Sequence, residues 1–369
     1  MAQQRAIEAV RLLLALRARA GTNPFADGAD ADLVAATLEQ LKGVEPQAWV
    51  DAFGALAAPH QANAAAAERA GDRQTASREY LRAYQYWRVA RYPAPNSAPK
   101  REAYRASQQM YLKAAYWFGP PLERVWIPFS GRPDEGQFII ADLRKPANVD
   151  RPPVVVHWGG IDSFKEERRA EPYLSAGLAS LAIDMPGVGD APLDGSPDAE
   201  RLWDAIFDWL ADRPDVDHTR VALHGASTGG YWAAKLAHTH ADRIRAAVDQ
   251  AGPAHLAFEP AWIERAQDGE YPFELAETLA AAFGGRSYAD WLTIAPTLSL
   301  ERQGILDQPS APLLLVNGLQ DSIFPIQDMH LLLERGSPKS ARFFATEGHM
   351  GGPRALPTIV DWLAERLRE

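Results

Sequence analysis

His224-Gly225-Ala226-Ser227-Thr228-Gly229-Gly230 is the stretch on which the reading of this chain turns. Ahead of it runs Arg220-Val221-Ala222-Leu223, a short buried-strand pattern. Behind it comes Tyr231-Trp232-Ala233-Ala234-Lys235-Leu236-Ala237, an alanine-rich helical stretch. Gly-x-Ser-x-Gly alone is weak evidence, since average glycine and serine usage produces it by chance in roughly one chain of this length in ten. Between a strand and a helix it says more. There the serine occupies a strained turn that lifts its Oγ above the sheet edge, and the glycines spare the neighbouring strand and helix a collision. The N-terminus of the helix lies where negative charge would develop.

A serine hydroxyl is a poor nucleophile at neutral pH and needs a base that a carboxylate orients. Candidates follow Ser227 in the order Asp, then His. Asp321 lies in Asn317-Gly318-Leu319-Gln320-Asp321, directly after the strand pattern Leu313–Val316. His349 lies in Thr346-Glu347-Gly348-His349-Met350-Gly351-Gly352, after the strand-like Arg342-Phe343-Phe344-Ala345 and before the last helix. The bland alternatives are a turn or helix-capping role for Asp321, with Asp249 as the rival carboxylate, and a plain loop histidine for His349. His238 and His240 are two apart on a helix and face different directions, so they make no metal pair. An oxyanion hole needs two backbone N–H donors. Thr228 is expected to supply one. The loop His157-Trp158-Gly159-Gly160-Ile161 is expected to supply the other, from Gly160 or Ile161, with Gly159 as the alternative.

Outward from the turn, strand-like and helix-like segments alternate. Val125–Phe129 and Gly136–Leu143 read as an antiparallel pair. Pro153–Val156, Ala179–Ile183, Arg220–Leu223, Ala246–Val248 and Leu313–Val316 read as buried strands, and Ala199–Ala211 carries Trp203, Ile206, Phe207 and Leu210 along one side. Such βα alternation implies a mostly parallel sheet covered by helices on both faces. With the serine turn and the Ser, Asp, His order, it predicts an α/β-hydrolase fold over residues 121–369. Residues 253–308, with Trp262, Tyr271, Phe273 and Trp291, are too long for a simple connection and read as a lid insertion. Residues 1–120 show no strand pattern. Four or five helices fit there, including a helical hairpin over Ala66–Arg88 of tetratricopeptide type, present once. Tyr80, Tyr84 and Trp87 recur at helical spacing, either as helix–helix core or as a lining for a flat substrate.

Composition excludes several classes. The 369 residues carry a net charge of −10, which disfavours nucleic acid and anionic membranes as partners. There is no cysteine, so disulfides, thiol catalysis and Cys-ligated zinc are out. No metal or cofactor is expected. The apolar run Leu12–Leu16 is hemmed in by Glu8, Arg11, Arg17 and Arg19, too short and charged for a signal peptide or membrane span. An amphipathic helix and a soluble, cytoplasmic protein are expected, with any homodimer forming through the N-terminal helices.

Gly159-Gly160-Ile161-Asp162-Ser163-Phe164-Lys165-Glu166-Glu167, taken with the helical N-terminus and Gly225–Gly230, resembles the 2,6-dihydroxypseudooxynicotine hydrolase group. That group includes the fungal heptaketide-shortening hydrolases and the FrsA-type esterases, and the likeness runs from about Ala66 to the end. The resemblance implies an N-terminal helical cap over the catalytic residues and hydrolytic cleavage of a C–C bond next to a carbonyl. It also implies an acidic group near the oxyanion loop that assists protonation. Asp162 stands at that position, shorter than the glutamate associated with the group. Its competing reading is structural, just ahead of a capping box Ser163-x-x-Glu166.

Three functions are carried forward. The first is hydrolysis of a C–C bond in a β-dicarbonyl or acyl-aromatic compound, or of a related ester, by Ser227, His349 and Asp321. Trp158, Tyr80, Tyr84 and Trp87 would then line the pocket. The second is elimination on the same fold, with His349 as base and no acyl-enzyme. The third is a non-catalytic binding protein, which an intact serine, acid and base set disfavours.

Overall fold

The computed structural model describes residues 2–19, 25, 28–267 and 274–368; Tyr271 and Phe273 of the expected insertion lie outside them. The chain divides into two compact units, Met1–Leu122 and Glu123–Glu369.

The first unit is helical: α1 (Ala2–Arg19), α2 (Ala31–Gln40), α3 (Pro46–Arg69), α4 (Arg73–Ala90) and α5 (Ala98–Ala115). The hairpin read at Ala66–Arg88 is the α3–α4 turn. Gly71 takes a left-handed φ of +76° there, and the Asp72 carboxylate caps α4 by accepting the Thr75 N–H at 3.1 Å. Side-chain chemistry then sets the seam between the two helices. Gly54 of α3 leaves room for the Trp87 ring, where a Cβ would come within 2.9 Å of it. Trp87 Nε1 donates to Gln61 Oε1 at 3.2 Å, and Tyr80 donates its hydroxyl to Glu68 at 2.6 Å. Tyr84 packs on Tyr111 of α5 with ring centroids 5.4 Å apart. The stripe Tyr80, Tyr84, Trp87 is therefore used in helix–helix packing, one of the two readings its spacing allowed.

The second unit is an eight-stranded sheet: β1 (Leu122–Pro128), β2 (Phe138–Arg144), β3 (Pro153–Trp158), β4 (Ala179–Ile183), β5 (Asp217–Ala226), β6 (Ala246–Gln250), β7 (Leu313–Gly318) and β8 (Lys339–Phe344). Its strand order is β1-β2-β4-β3-β5-β6-β7-β8; β2 runs antiparallel to β4, and the pairs from β4 to β8 are parallel. The helices of this unit are α6 (Glu171–Ser175), α7 (Arg201–Ala211), α8 (Gly230–Thr239), α9 (Pro260–Ala266), α10 (Leu275–Ala282), α11 (Tyr288–Ile294), α12 (Ile326–Glu334) and α13 (Ala355–Arg366). The inner strands β3, β4, β6 and β7 are buried along their whole length, too apolar to face water on either side, and both faces of the sheet are covered there. Val155, Ala222, Val248, Leu314 and Val316 pack with Tyr173, Ile359, Leu363 and Leu367. On the opposite face, Trp158 meets Trp203 of α7 at 4.8 Å, and Trp203 meets Trp232 of α8 at 5.5 Å. Each such indole removes about 150–250 Å² from water, so this cluster is a major anchor of β3 to the two helices. This is the α/β-hydrolase fold.

Residues 253–308 leave the sheet between β6 and β7. Asp328 of α12, fully buried, accepts the N–H groups of Ala254, His255, Leu256 and Ala257 at 2.7–3.2 Å and so fixes the start of this segment. Farther on, Trp291 packs against Phe258 and Phe283. Among the described residues no helix is long and apolar enough to cross a membrane.

Candidate active site

β5 ends at Ala226, and Ser227 follows with φ +54° before the chain enters α8. A non-glycine residue in that left-handed region costs about 1–2 kcal/mol, and the surroundings must hold it there. They do so by leaving no room for relaxation. A Cβ on Gly225 would sit 2.2 Å from the Gly229 carbonyl oxygen, and one on Gly229 would sit 2.2 Å from that of Gly159. Trp158 Nε1 donates to the Gly229 carbonyl at 2.8 Å from below the turn. Trp158 is fully buried in this role, which corrects its assignment to the pocket wall.

Three loops at the C-terminal ends of β5, β7 and β8 bring the expected residues together. His349 Nε2 accepts from Ser227 Oγ at 2.8 Å, and His349 Nδ1 donates to Asp321 Oδ2 at 2.8 Å. Asp321 is held on all sides. Asn317 Nδ2 donates to Oδ2 at 2.8 Å, and the N–H groups of Ile323 and Phe324 donate to Oδ1 at 2.8 and 3.1 Å. Burial works to raise its pKa, but the His349 charge and these hydrogen bonds outweigh that and hold the carboxyl below its ordinary value. The acid therefore stays ionised and fixes the His349 tautomer that leaves Nε2 facing Ser227. The His349 ring also meets Phe324 edge-on at 5.5 Å. Trp262 of α9 donates to the Ile323 carbonyl at 3.3 Å, so the segment between β6 and β7 reaches the Asp321 loop. Asp249, the rival acid, points elsewhere and accepts the Gly252 N–H at 2.6 Å.

Gly160 lies against Ser227. A Cβ there would come within 2.8 Å of Ser227 Cβ, 3.0 Å of its Oγ and 3.3 Å of the Thr228 nitrogen. The loop after β3 and the first peptide of the turn are thus neighbours, as two oxyanion donors must be. Ile161 is buried in the same loop, and Asp162, half-buried, follows it.

The capping box expected at Ser163 and Glu166 does not form. Residues Lys165–Glu167 make one short 3-10 turn, and it is Glu167 that accepts the Phe164 N–H, at 3.1 Å. Ser163 Oγ instead accepts from Arg168 at 3.1 Å. Glu166 turns inward to an ion cluster, where Arg124 reaches it at 2.8 Å and Asp142 at 2.8 Å, and Lys165 lies 3.1 Å from it. Lys165 Nζ, fully buried, also meets Asp184 at 2.9 Å and the Asp190 carboxylate. Burial and the neighbouring carboxylates lift Asp184 to about 6 despite Lys165, while the two cations overcome burial at Glu166 and lower it to about 2. This cluster ties the loop after β3 to β1, to β2 and to the loop after β4. The sequence reading did not find it, nor Asn317, although Lys165 and Glu166 stand in the distinctive run.

The family model described as "Esterase FrsA-like" matches residues 28–368. Esterase FrsA of Photobacterium profundum is 26% identical over 342 residues, covering 89% of this chain and 79% of its own length. The 20-hydroxy-prefusarin hydrolase FUS2 of Gibberella moniliformis is 28% identical over 361 residues, covering 84% of this chain and 82% of its own. Among solved structures, 2,6-dihydroxy-pseudo-oxynicotine hydrolase aligns with a TM-score of 0.77 at 21% identity, over 92% of this chain and 94% of that one. At that identity the likeness establishes the shared fold.

Proposed function

The chain belongs to the FrsA-like esterase family, and we propose that within it the protein is a serine-dependent acyl hydrolase with Ser227 as nucleophile, His349 as base and Asp321 as orienting acid. The observation that carries this reading is the unbroken line Ser227 Oγ–His349–Asp321, both links 2.8 Å, at a strained turn beside Gly160. His349 takes the Ser227 proton as Oγ adds to a carbonyl carbon. The oxyanion is met by the N–H of Thr228 and by that of Gly160 or Ile161. Collapse expels the leaving group, which takes a proton from the His349 imidazolium. Water, activated by His349, then releases the acid and restores Ser227.

The substrate in this reading is a carbonyl compound whose acyl group passes to Ser227: a β-dicarbonyl or acyl-aromatic compound cleaved at carbon, or a related ester cleaved at oxygen. The names of the relatives, esterases and a hydrolase, support the hydrolytic class. A carbon leaving group needs a stronger proton source, and Asp162, next to Ile161, is assigned that part. A panel of p-nitrophenyl esters and β-diketones, assayed with wild type, Asp162→Asn and Ser227→Ala, tests the reading. Ester turnover through Ser227 with no diketone turnover removes the C–C assignment. Turnover that survives Ser227→Ala, with no acyl adduct on Ser227 by mass spectrometry, replaces hydrolysis by elimination with His349 as base.

A further inference from the structure

Beneath the site runs a buried chain of hydrogen bonds that the proposed mechanism does not use. Tyr173 of α6 lies 2.6 Å from His224 Nδ1, His224 Nε2 lies 2.9 Å from Gln250 Oε1, and Gln250 Nε2 lies 2.9 Å from the Met350 carbonyl oxygen. All three side chains are at least nine-tenths buried. Direction follows from the far end. A carbonyl can only accept, so the Gln250 amide must turn its NH2 toward Met350 and its oxygen toward His224. His224 must then carry its proton on Nε2, and its bare Nδ1 accepts from the Tyr173 hydroxyl. Burial, opposed by the Gln250 bond, pushes His224 down to about 4 and pushes Tyr173 above the ordinary range, so both remain neutral near pH 7 and the direction is fixed.

The chain ends at a telling place. Met350 follows His349 directly and is held in a left-handed conformation with φ +75°. Gln250 is the last residue of β6, the strand between β5, which delivers Ser227, and β7, which leads to Asp321. In register it lies opposite Ala226 on one side and Val316 on the other. Its backbone is therefore rigid with respect to the nucleophile and the acid. Its side chain is one link from that platform to the third loop, the one that bears the base, beside the Gln320 N–H that donates to the Glu347 carbonyl at 2.9 Å.

We propose that Gln250, oriented by His224, is a positioning residue that locks the Met350 peptide and thereby aims His349 Nε2 at Ser227. This inference rests on the serine-hydrolase reading above, and its test separates the two. Wild type, Gln250→Leu and Gln250→Glu are compared for p-nitrophenyl acetate hydrolysis, for the rate of Ser227 labelling by a fluorophosphonate and for melting temperature. Gln250→Leu is expected to lower kcat and the labelling rate roughly ten- to a hundredfold, the range that small misplacements of a reacting group produce, with KM little changed and the fold retained. Gln250→Glu supplies a second readout. A protonated Glu donates to Met350 as the amide does, whereas an ionised one turns two acceptors on a carbonyl. Its kcat relative to wild type should rise as pH falls from 8 to 6. That ratio decides the matter if Gln250→Leu does not fold, because a merely structural role would leave it flat once folding is complete. Gln250 variants that match wild type at every pH, or lose activity only in proportion to the unfolded fraction, overturn the inference. A wild type silent to both probes overturns the serine-hydrolase reading and this inference with it.

Discussion

Ser227 Oγ stands 2.8 Å from His349 Nε2 across 122 residues of sequence. In the proposed mechanism this hydroxyl, held on a strained turn at hydrogen-bond distance from a base, is the nucleophile. Ser227→Ala should lower kcat for p-nitrophenyl acetate by roughly 10⁴-fold or more, and His349→Ala by a similar factor. Pairing the two in one chain should add little, because they act as a unit. A double variant far below either single one would show that they act separately.

Asp321→Asn tests orientation rather than reach. The carboxylate accepts from His349 Nδ1, from Asn317 and from two backbone N–H groups. An amide has only one accepting atom for those four donors. Turning its NH2 toward His349 would favour the tautomer with the proton on Nε2, which cannot take the proton of Ser227. A loss of about 10⁴-fold in kcat is expected, with KM changed far less. Steady-state kinetics on the same ester measures both; a loss confined to KM would remove Asp321 from the role.

The turn and its partners were legible because their signals are local. A β pattern, five residues with two glycines and an alanine-rich helix specify Ser227, and chain order picks out Asp321 and His349. The remaining strands were legible as short apolar runs, although β5 begins at Asp217, ahead of the expected Arg220. What stayed hidden depends on tertiary partners. Glu166 has the right spacing from Ser163 for a capping box, yet Arg124, 42 residues away, draws it into the ion cluster. Trp158 in a core and Trp158 in a pocket have the same sequence signature. Gln250 is an unremarked strand-end amide until Met350, 100 residues on, is seen to accept from it.

Gly160 and Gly229 should fail in different ways. A methyl at Gly160 meets Ser227 Cβ at 2.8 Å and the Thr228 nitrogen at 3.3 Å, crowding the space where an oxyanion would form. Gly160→Ala is expected to cost about 10²-fold or more in kcat at temperatures where it is fully folded, beyond any loss its melting temperature explains. A methyl at Gly229 meets the Gly159 carbonyl oxygen at 2.2 Å and Trp158 Cδ1 at 2.6 Å, both rigid. Gly229→Ala should therefore show itself first as lost stability in thermal unfolding. Unchanged turnover in Gly160→Ala would move the oxyanion site away from this loop.

Lys165 is fully buried among Glu166, Asp184 and Asp190. Lys165→Met keeps much of the volume and removes the charge, leaving buried Asp184 and half-buried Asp190 without this cation and Glu166 with Arg124 still beside it. Breaking such a cluster from one side typically costs about 3–5 kcal/mol. Urea unfolding should show a drop of that order, and any folded remainder should have a displaced oxyanion loop and reduced kcat. Equal stability in the two proteins would mean that the carboxylates share their charge by other means.

Asp249 gives a prediction in pH. It is fully buried, Oδ1 accepts the Gly252 N–H, and Oδ2 has no hydrogen-bond partner among the described residues. Burial lifts its pKa to about 7; the Gly252 N–H and Lys339 oppose the rise, and the Asp328 charge adds to it. Because the folded state holds a proton that the unfolded chain releases near the ordinary value of 3.8, folding favours the protonated side. Stability from this group is thus fully present at low pH and is lost as pH climbs through the folded value near 7. Asp249→Asn removes the titration and keeps an acceptor for Gly252. The variant should melt higher than wild type at pH 8, with the gap nearly constant down to about pH 7 and narrowing below that towards pH 5. A gap that is independent of pH would show that Asp249 is ionised in the folded protein, as in the unfolded chain, over that whole range.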